Sequence, residues 1–301
     1  MKNFIIVFSE KSGSSPICDL LSNFHLIDMI SYEPFDRYRF VVPKWGGYGK
    51  DISEEDFSRC LEIIFSSEKD YILKLKSIIS KYADFSLYSN INNKSVNFSK
   101  QKSHGFKIRP RENRLKVLFE IAKKYNVVVF ILFRKNTLKW ALSKYHGDGF
   151  GKPGHLQFKL ADKLIKREDI PKIRVDCSGL LKLIKKCEIS DKKKRKIIKI
   201  LRKNKIKAYP IYYEDFCHNK FTFLKSILKK LKINASNKDI SEAIKKRGYY
   251  KKVHSENISD FVLNPKEVCD CYRRYLKDKK NISKRIRRII DIFYNKIKEI
   301  L

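Results

Sequence analysis

The chain has 301 residues, 43% of them hydrophobic, and a formal net charge of +35. That much apolar material supports a sizeable core, and only 8 prolines and 11 glycines argue against long disordered or fibrous stretches. The 7 cysteines are odd in number, irregular in spacing and without a CxxC pair, which argues against a zinc ribbon or a disulfide framework.

Reduced thiols in a cytoplasmic protein are the simplest expectation. The first apolar run is too short for a signal peptide, and no later run reaches the roughly 18 residues of a membrane span. The charge has two readings. One is a polyanionic partner such as nucleic acid, a membrane surface or a phosphorylated cofactor. The other is a lysine, isoleucine and asparagine bias from AT-rich coding, since the lysines are spread over the whole chain.

Taken in order, Phe4–Phe8 reads as a buried parallel strand, short, apolar and β-branched. The polar turn Ser9–Ser15 follows, and Pro16–Asn23 reads as a helix with proline tolerated in its first turn. Residues 53–83 read as mostly helical, with Leu61, Ile64, Phe65, Ile72, Leu75, Ile78 and Ile79 at helical spacing. His104–Ile108 is a strand candidate, and Arg111–Tyr125 an amphipathic helix that Asn126 ends. Val127–Phe133 is the strongest strand, apolar on both faces as in the middle of a covered parallel sheet. A helix over Lys135–Tyr145 and a glycine-rich loop over Gly147–Gly154 come next. Lys172–Val175 and Lys207–Tyr212 read as strands separated by basic helices. Lys192–Lys207 and Ile282–Leu301 read as solvated basic helices.

Strands alternating with helices predict an α/β fold with a mostly parallel sheet and right-handed crossovers. The loop Ser9–Ser15 sits between the first strand and its helix, where backbone N–H groups and the helix N-terminus favour an anion. Gly13 permits close approach, Ser14 and Ser15 add hydroxyls, and Lys11 adds charge. The pattern is not the nucleotide-triphosphatase loop GxxxxGK[ST], because the lysine precedes the glycine and no metal-binding aspartate is evident.

With these segments in hand, the chain resembles the PAPS-dependent sulfotransferase family, closest in pattern to bacterial carbohydrate sulfotransferases; PAPS is 3′-phosphoadenosine 5′-phosphosulfate. Lys11-Ser12-Gly13-Ser14-Ser15 matches the family's first motif. Val127–Phe133 with Arg134 and Ser143 matches the second, a strand ending in arginine with a serine nine residues on. Ser31-Tyr32-Glu33-Pro34-Phe35 resembles the segment carrying an acceptor-activating glutamate. His104-Gly105-Phe106-Lys107-Ile108 resembles an inner strand. Ile211–Phe216, containing Tyr213-Glu214-Asp215, resembles a segment with a structural part. Lys251–Ser255 followed by Ile258–Asn264 resembles a cofactor-covering loop. The matches run from residue 4 to about residue 268.

The resemblance implies a single α/β domain of P-loop-like sulfotransferase architecture over residues 1–301. Residues 40–100 match no part of the family pattern and are expected to select the acceptor, and helices are expected over 265–301. It implies transfer of a sulfuryl group from PAPS to an acceptor hydroxyl, with no metal. Lys11 would stabilise the leaving phosphate, Ser12–Ser15 would hold it, and Arg134 and Ser143 would grip the 3′-phosphate. Lys252, or its neighbour Lys251, would close over the cofactor. Glu33 would be the base, with His25 or His104 as alternatives, and Lys107 is a candidate contact for acceptor or sulfate. The loop His146–His155 either shapes the acceptor pocket or makes a plain turn.

A carbohydrate or glycolipid acceptor is the class implied, with no specific nucleic acid as partner. Peripheral contact with an anionic membrane is compatible with the basic surface. Oligomeric state stays open. Two rivals stand beside this reading: a P-loop-type kinase or phosphotransferase, and a non-enzymatic polyanion-binding protein.

Overall fold

In the computed structural model the opening apolar run forms β1 (Phe4–Val7), all four residues buried. The residues described are 2–29, 35, 48–66, 71–83, 103–109, 112–149, 171–246 and 257–300, with side chains excepted at 71–72, 112–113, 147–149 and 283–300. The other strands are β2 (Ile27–Met29), β3 (Ser103–Ile108), β4 (Val128–Phe133) and β5 (Ala208–Tyr212). They form one sheet in the order β2-β3-β1-β4-β5, with every neighbouring pair parallel. The α/β class and the parallel sheet expected from the sequence are found.

The helices are α1 (Ser14–Ser22), α2 (Glu54–Phe65), α3 (Tyr71–Ile79), α4 (Glu112–Lys124), α5 (Thr137–Gly149) and α6 (Cys177–Lys203). After β5 come α7 (Tyr213–His218), α8 (Lys220–Leu231), α9 (Asn237–Lys245) and α10 (Pro265–Ile300), which ends the chain in helix. Their starts follow capping chemistry. Ser53 accepts from the Asp56 N–H ahead of three acidic residues in α2. Asn219 caps α8 through the Thr222 N–H, and Ser236 and Asp239 form a reciprocal capping box on α9. Asn126 takes a left-handed φ of 51° just after α4, as a helix-ending asparagine does.

The chain divides into two compact units, one of Met1–Asn136 and Ile189–Lys251, the other of Thr137–Glu188 and Lys252–Leu301. The first holds the whole sheet, and alternation along β1 explains its two cores. Ile5 and Val7 join Phe106, Val129 and Ile131 under α2, α3, α4 and the later part of α6. Phe4 and Ile6 join Val128, Phe130 and Leu132 under α1, α8 and α9. Each large side chain so buried contributes roughly 1.5–3 kcal/mol. Gly105 of β3 lies opposite Phe4 of β1, and a Cβ at Gly105 would overlap the Phe4 ring.

The second unit packs Trp140 and Leu142 of α5 against Ile173, Leu180, Ile184 and Val268. Here the structure corrects two expectations. Lys172–Val175 is not a strand: its ladder is a single parallel bridge, Ile173 to Val262. The Asn264 side chain takes both backbone groups of Val175, accepting from its N–H at 2.9 Å and donating to its carbonyl at 3.0 Å, which ends the pairing. The glycine-rich stretch begins as helix, since α5 runs on to Gly149. No helix among the described residues is long and apolar enough to cross a membrane.

Candidate functional site

β1 leads through buried Phe8 into the loop. The Ser12 N–H donates to the Ser9 carbonyl at 3.1 Å, closing a tight turn. Lys11 and Gly13 both have left-handed backbone, with φ of 56° and 88°. For Gly13 this conformation and a close approach act together, because a Cβ there would overlap the Tyr213 ring. Gly13 is the N-cap of α1, which has no side-chain cap and no acidic residue in its first turn. The α1 N-terminus therefore keeps its positive end toward the loop. Ser12 is fully buried and its hydroxyl has no hydrogen-bond partner. Such a group costs about 1–3 kcal/mol until an oxygen reaches it.

Lys107 enters the same place from β3. It is 2% exposed, and its Nζ donates to Ser14 Oγ at 3.2 Å and Ser15 Oγ at 3.0 Å. The ammonium also lies 4.8 Å from the centre of the Phe8 ring. A buried cation beside a helix N-terminus adds like charge to like. That arrangement favours an anion between them. Around the rim, Arg109 pairs with Glu10, and its guanidinium carbon lies 5.8 Å from the centre of the Phe8 ring.

Arg134 follows the last residue of β4. Its Nη1 donates to the Lys11 carbonyl at 2.9 Å, and its guanidinium carbon lies 5.1 Å from the centre of the Tyr213 ring. The Glu214 carboxylate accepts from the Lys135 N–H at 2.9 Å and the Asn136 N–H at 3.0 Å, fixing the backbone just past Arg134. Lys135 Nζ pairs with Asp215 at 2.6 Å. These contacts give the Tyr213-Glu214-Asp215 stretch the structural part expected of it. β1 and β4 are neighbours, yet the chain leaves them toward opposite sides of the sheet. That switch point, outside the carboxyl ends of the strands, is where open α/β sheets bind ligands.

The structure thus brings Lys11, Ser12, Gly13, Ser14, Ser15 and Arg134 together in the first unit. Ser143 lies half-buried on α5, in the second unit. Glu33 and Lys252, with Lys251, lie outside the described residues. Phe35, two residues past Glu33, is buried edge-on against Phe57 at 5.0 Å and Phe106 at 5.5 Å, and its carbonyl accepts from Arg114 at 3.0 Å. The two alternative bases sit toward the amino edge of the sheet. His25 is exposed in the turn before β2, and His104 is buried near the start of β3 with Nδ1 3.5 Å from Asp28. Among the described residues no group of three or more histidine, cysteine, aspartate or glutamate side chains is arranged to hold a metal ion.

Sequence reasoning missed what surrounds the loop: Tyr213 filling the space that Gly13 leaves, and two contacts from α6, Ser190 to Ser9 and Lys194 to Leu132. Lys107, set between Phe106 and Ile108 in a strand candidate, was already singled out by the sequence.

No family model and no curated protein matches the chain. Among solved structures, a mouse sulfotransferase complexed with PAP is 12% identical, with a TM-score of 0.37 over 81% of this chain. The chain spans 63% of that protein's length. The sulfotransferase domain of the curacin biosynthetic pathway is 10% identical, TM-score 0.42, over 87% of this chain and 83% of its own. A sulfotransferase from Mycobacterium avium is 9% identical, TM-score 0.38, over 92% and 76%.

Proposed function

We propose that the chain is a sulfotransferase, moving the sulfuryl group of PAPS to an acceptor hydroxyl on a carbohydrate or glycolipid. The observation that carries this reading is the anion cradle after β1. A buried lysine, a helix N-terminus without acidic residues and a buried, unpartnered serine hydroxyl converge there. The motif resemblance at Lys11–Ser15 and at Arg134 selects a phosphosulfate among anions.

The residues fit a phosphate-bearing donor. When bound, PAPS supplies an activated sulfuryl group and a bisphosphate leaving group. The Gly13–Ser15 amides and the Ser12, Ser14 and Ser15 hydroxyls hold the 5′-phosphate, with the Ser12 hydroxyl gaining its missing partner. Lys11 and Lys107 lower the energy of negative charge that builds on the departing oxygen. Arg134 offers the planar fork suited to the 3′-phosphate. Glu33 takes the acceptor's proton as attack proceeds in line. Phe35 ties the chain next to Glu33 to β3, the strand that carries Lys107.

Calorimetric titration with adenosine 3′,5′-bisphosphate, beside ATP with magnesium, tests the proposal. Micromolar binding of the bisphosphate without metal is expected. Tight ATP–magnesium binding with no bisphosphate binding would sink it and favour a kinase.

A further inference from the structure

α6 carries a lysine where its surroundings are apolar. Lys194 is fully buried, and its Nζ donates to the Leu132 carbonyl at 2.7 Å. It pairs with Asp191 at 2.8 Å and lies 4.6 Å from the centre of the Phe133 ring. Along α6 the buried residues recur at Ile197, Ile198 and Leu201, so Lys194 occupies the apolar stripe itself. A well-packed apolar residue there would avoid desolvating a charge, an exchange that is often neutral or stabilising. The lysine's value therefore lies in what it holds.

Leu132 is the next-to-last residue of β4, two positions before Arg134. One turn earlier on α6, Ser190 Oγ meets Ser9 Oγ at 2.7 Å, and Ser9 opens the anion loop. A turn and a half of one helix thus holds the ends of both strands that deliver the site. The contact of Arg134 with the Lys11 carbonyl closes the ring between them. We infer that Ser190, Asp191 and Lys194 are positioning residues that set the spacing between the Lys11–Ser15 loop and Arg134. The inference rests on the donor-site reading above. Spacing matters there because a misplacement of about 1 Å can cost roughly 100-fold.

Lys194→Met keeps the side chain's length and removes its charge and hydrogen bond. Two readouts apply: amide hydrogen exchange over residues 9–15 and 132–136, and calorimetric affinity for adenosine 3′,5′-bisphosphate. The expected result is exchange about tenfold faster in both segments, with α8 unchanged. Affinity should fall about 10–100-fold, and Lys194→Arg should recover most of it. A lower melting temperature with unchanged affinity and no local exchange change would overturn the inference. If Lys194→Met does not fold, Ser190→Ala carries the same exchange prediction for residues 9–15, and unchanged exchange there overturns it equally. Failure of the unmodified protein to bind the bisphosphate sinks the sulfotransferase reading, while the exchange arm still decides whether α6 positions the loop.

Discussion

The two edges of the sheet handle positive charge in opposite ways. At the amino edge Lys2, Lys207 and Lys232 crowd together, and Lys2 is pulled down to about 8. A side-chain hydrogen bond with Lys207 is the main cause, burial comes second, and repulsion from Lys207 and Lys232 follows. At the carboxyl edge three cations meet oxygen acceptors and an aromatic face: Lys107 with Ser14, Ser15 and Phe8, Lys194 with Leu132 and Phe133, Arg134 with Lys11 and Tyr213. A net charge of +35 is thus not a functional signal by itself. What distinguishes the two edges is burial: Lys107 and Lys194 are buried with their acceptors, whereas Lys2 reaches Asn126 in an exposed contact among like charges.

That contrast can be broken by neutralising one group at a time. The largest effect belongs to the proposed base, which should act on rate and not on donor binding. Glu33→Gln should slow transfer by about 10²–10⁴-fold, and leave bisphosphate affinity as it was. Normal turnover by this variant would mean that another group takes the proton. Arg134→Ala should weaken bisphosphate binding by about 10²–10⁴-fold, since two hydrogen bonds to a charged group contribute roughly 1.5–3 kcal/mol each. Calorimetry reads this directly, and an unchanged affinity would remove Arg134 from the site. Lys107→Met should cost about tenfold in the same assay, with the loss shrinking at high salt as far as the cradle is open to solvent.

The smallest effect lies at the amino edge, where the comparison predicts no change in ligand affinity. Lys207→Gln removes the main cause of the Lys2 shift, so Lys2 should titrate well above 8, toward 10.5. The sign for stability follows. In the unmodified protein the folded state gives up the Lys2 proton near 8 while the unfolded chain keeps it to 10.5. Stability should therefore rise between those values, and below them the repulsion is felt in full. The variant should lose that rise and gain a few tenths of a kcal/mol at neutral pH, in line with exposed charge pairs. Titration of the Lys2 side chain by NMR, with melting curves across the same pH range, checks both.

The sequence revealed the elements that are buried on both faces. Val127–Phe133 and Phe4–Phe8 stand out because a covered parallel strand needs unbroken apolar residues. β2 was not legible: it has three residues, and its middle one is Asp28. The loop was legible through Gly13, where left-handed backbone and close approach restrict the residue type, and through the charge of Lys11. Lys194 was hidden by its neighbours, since a stretch as basic as Lys192–Lys207 reads as solvated throughout. The helical spacing from Leu180, Ile184 and Cys187 to Ile198 and Leu201 does pass through residue 194. Side-chain periodicity points to the buried face there, and composition alone conceals it. Tyr213 could not be foreseen against Gly13, because nothing in residue spacing joins two segments 200 positions apart.

Gly105 bears on how this site comes to be assembled. The Phe4 ring occupies the space above its backbone, so β3 has one notch where β1 can lie against it. Sliding β3 by two residues would bring Ser103 or Lys107 opposite Phe4, and either would drive a Cβ into the ring. The same slip would carry Lys107 about 7 Å along the strand, away from Ser14 and Ser15. The missing side chain at 105 therefore works as a ruler. It sets, from within the strand, how far the ammonium two residues on extends toward the anion cradle.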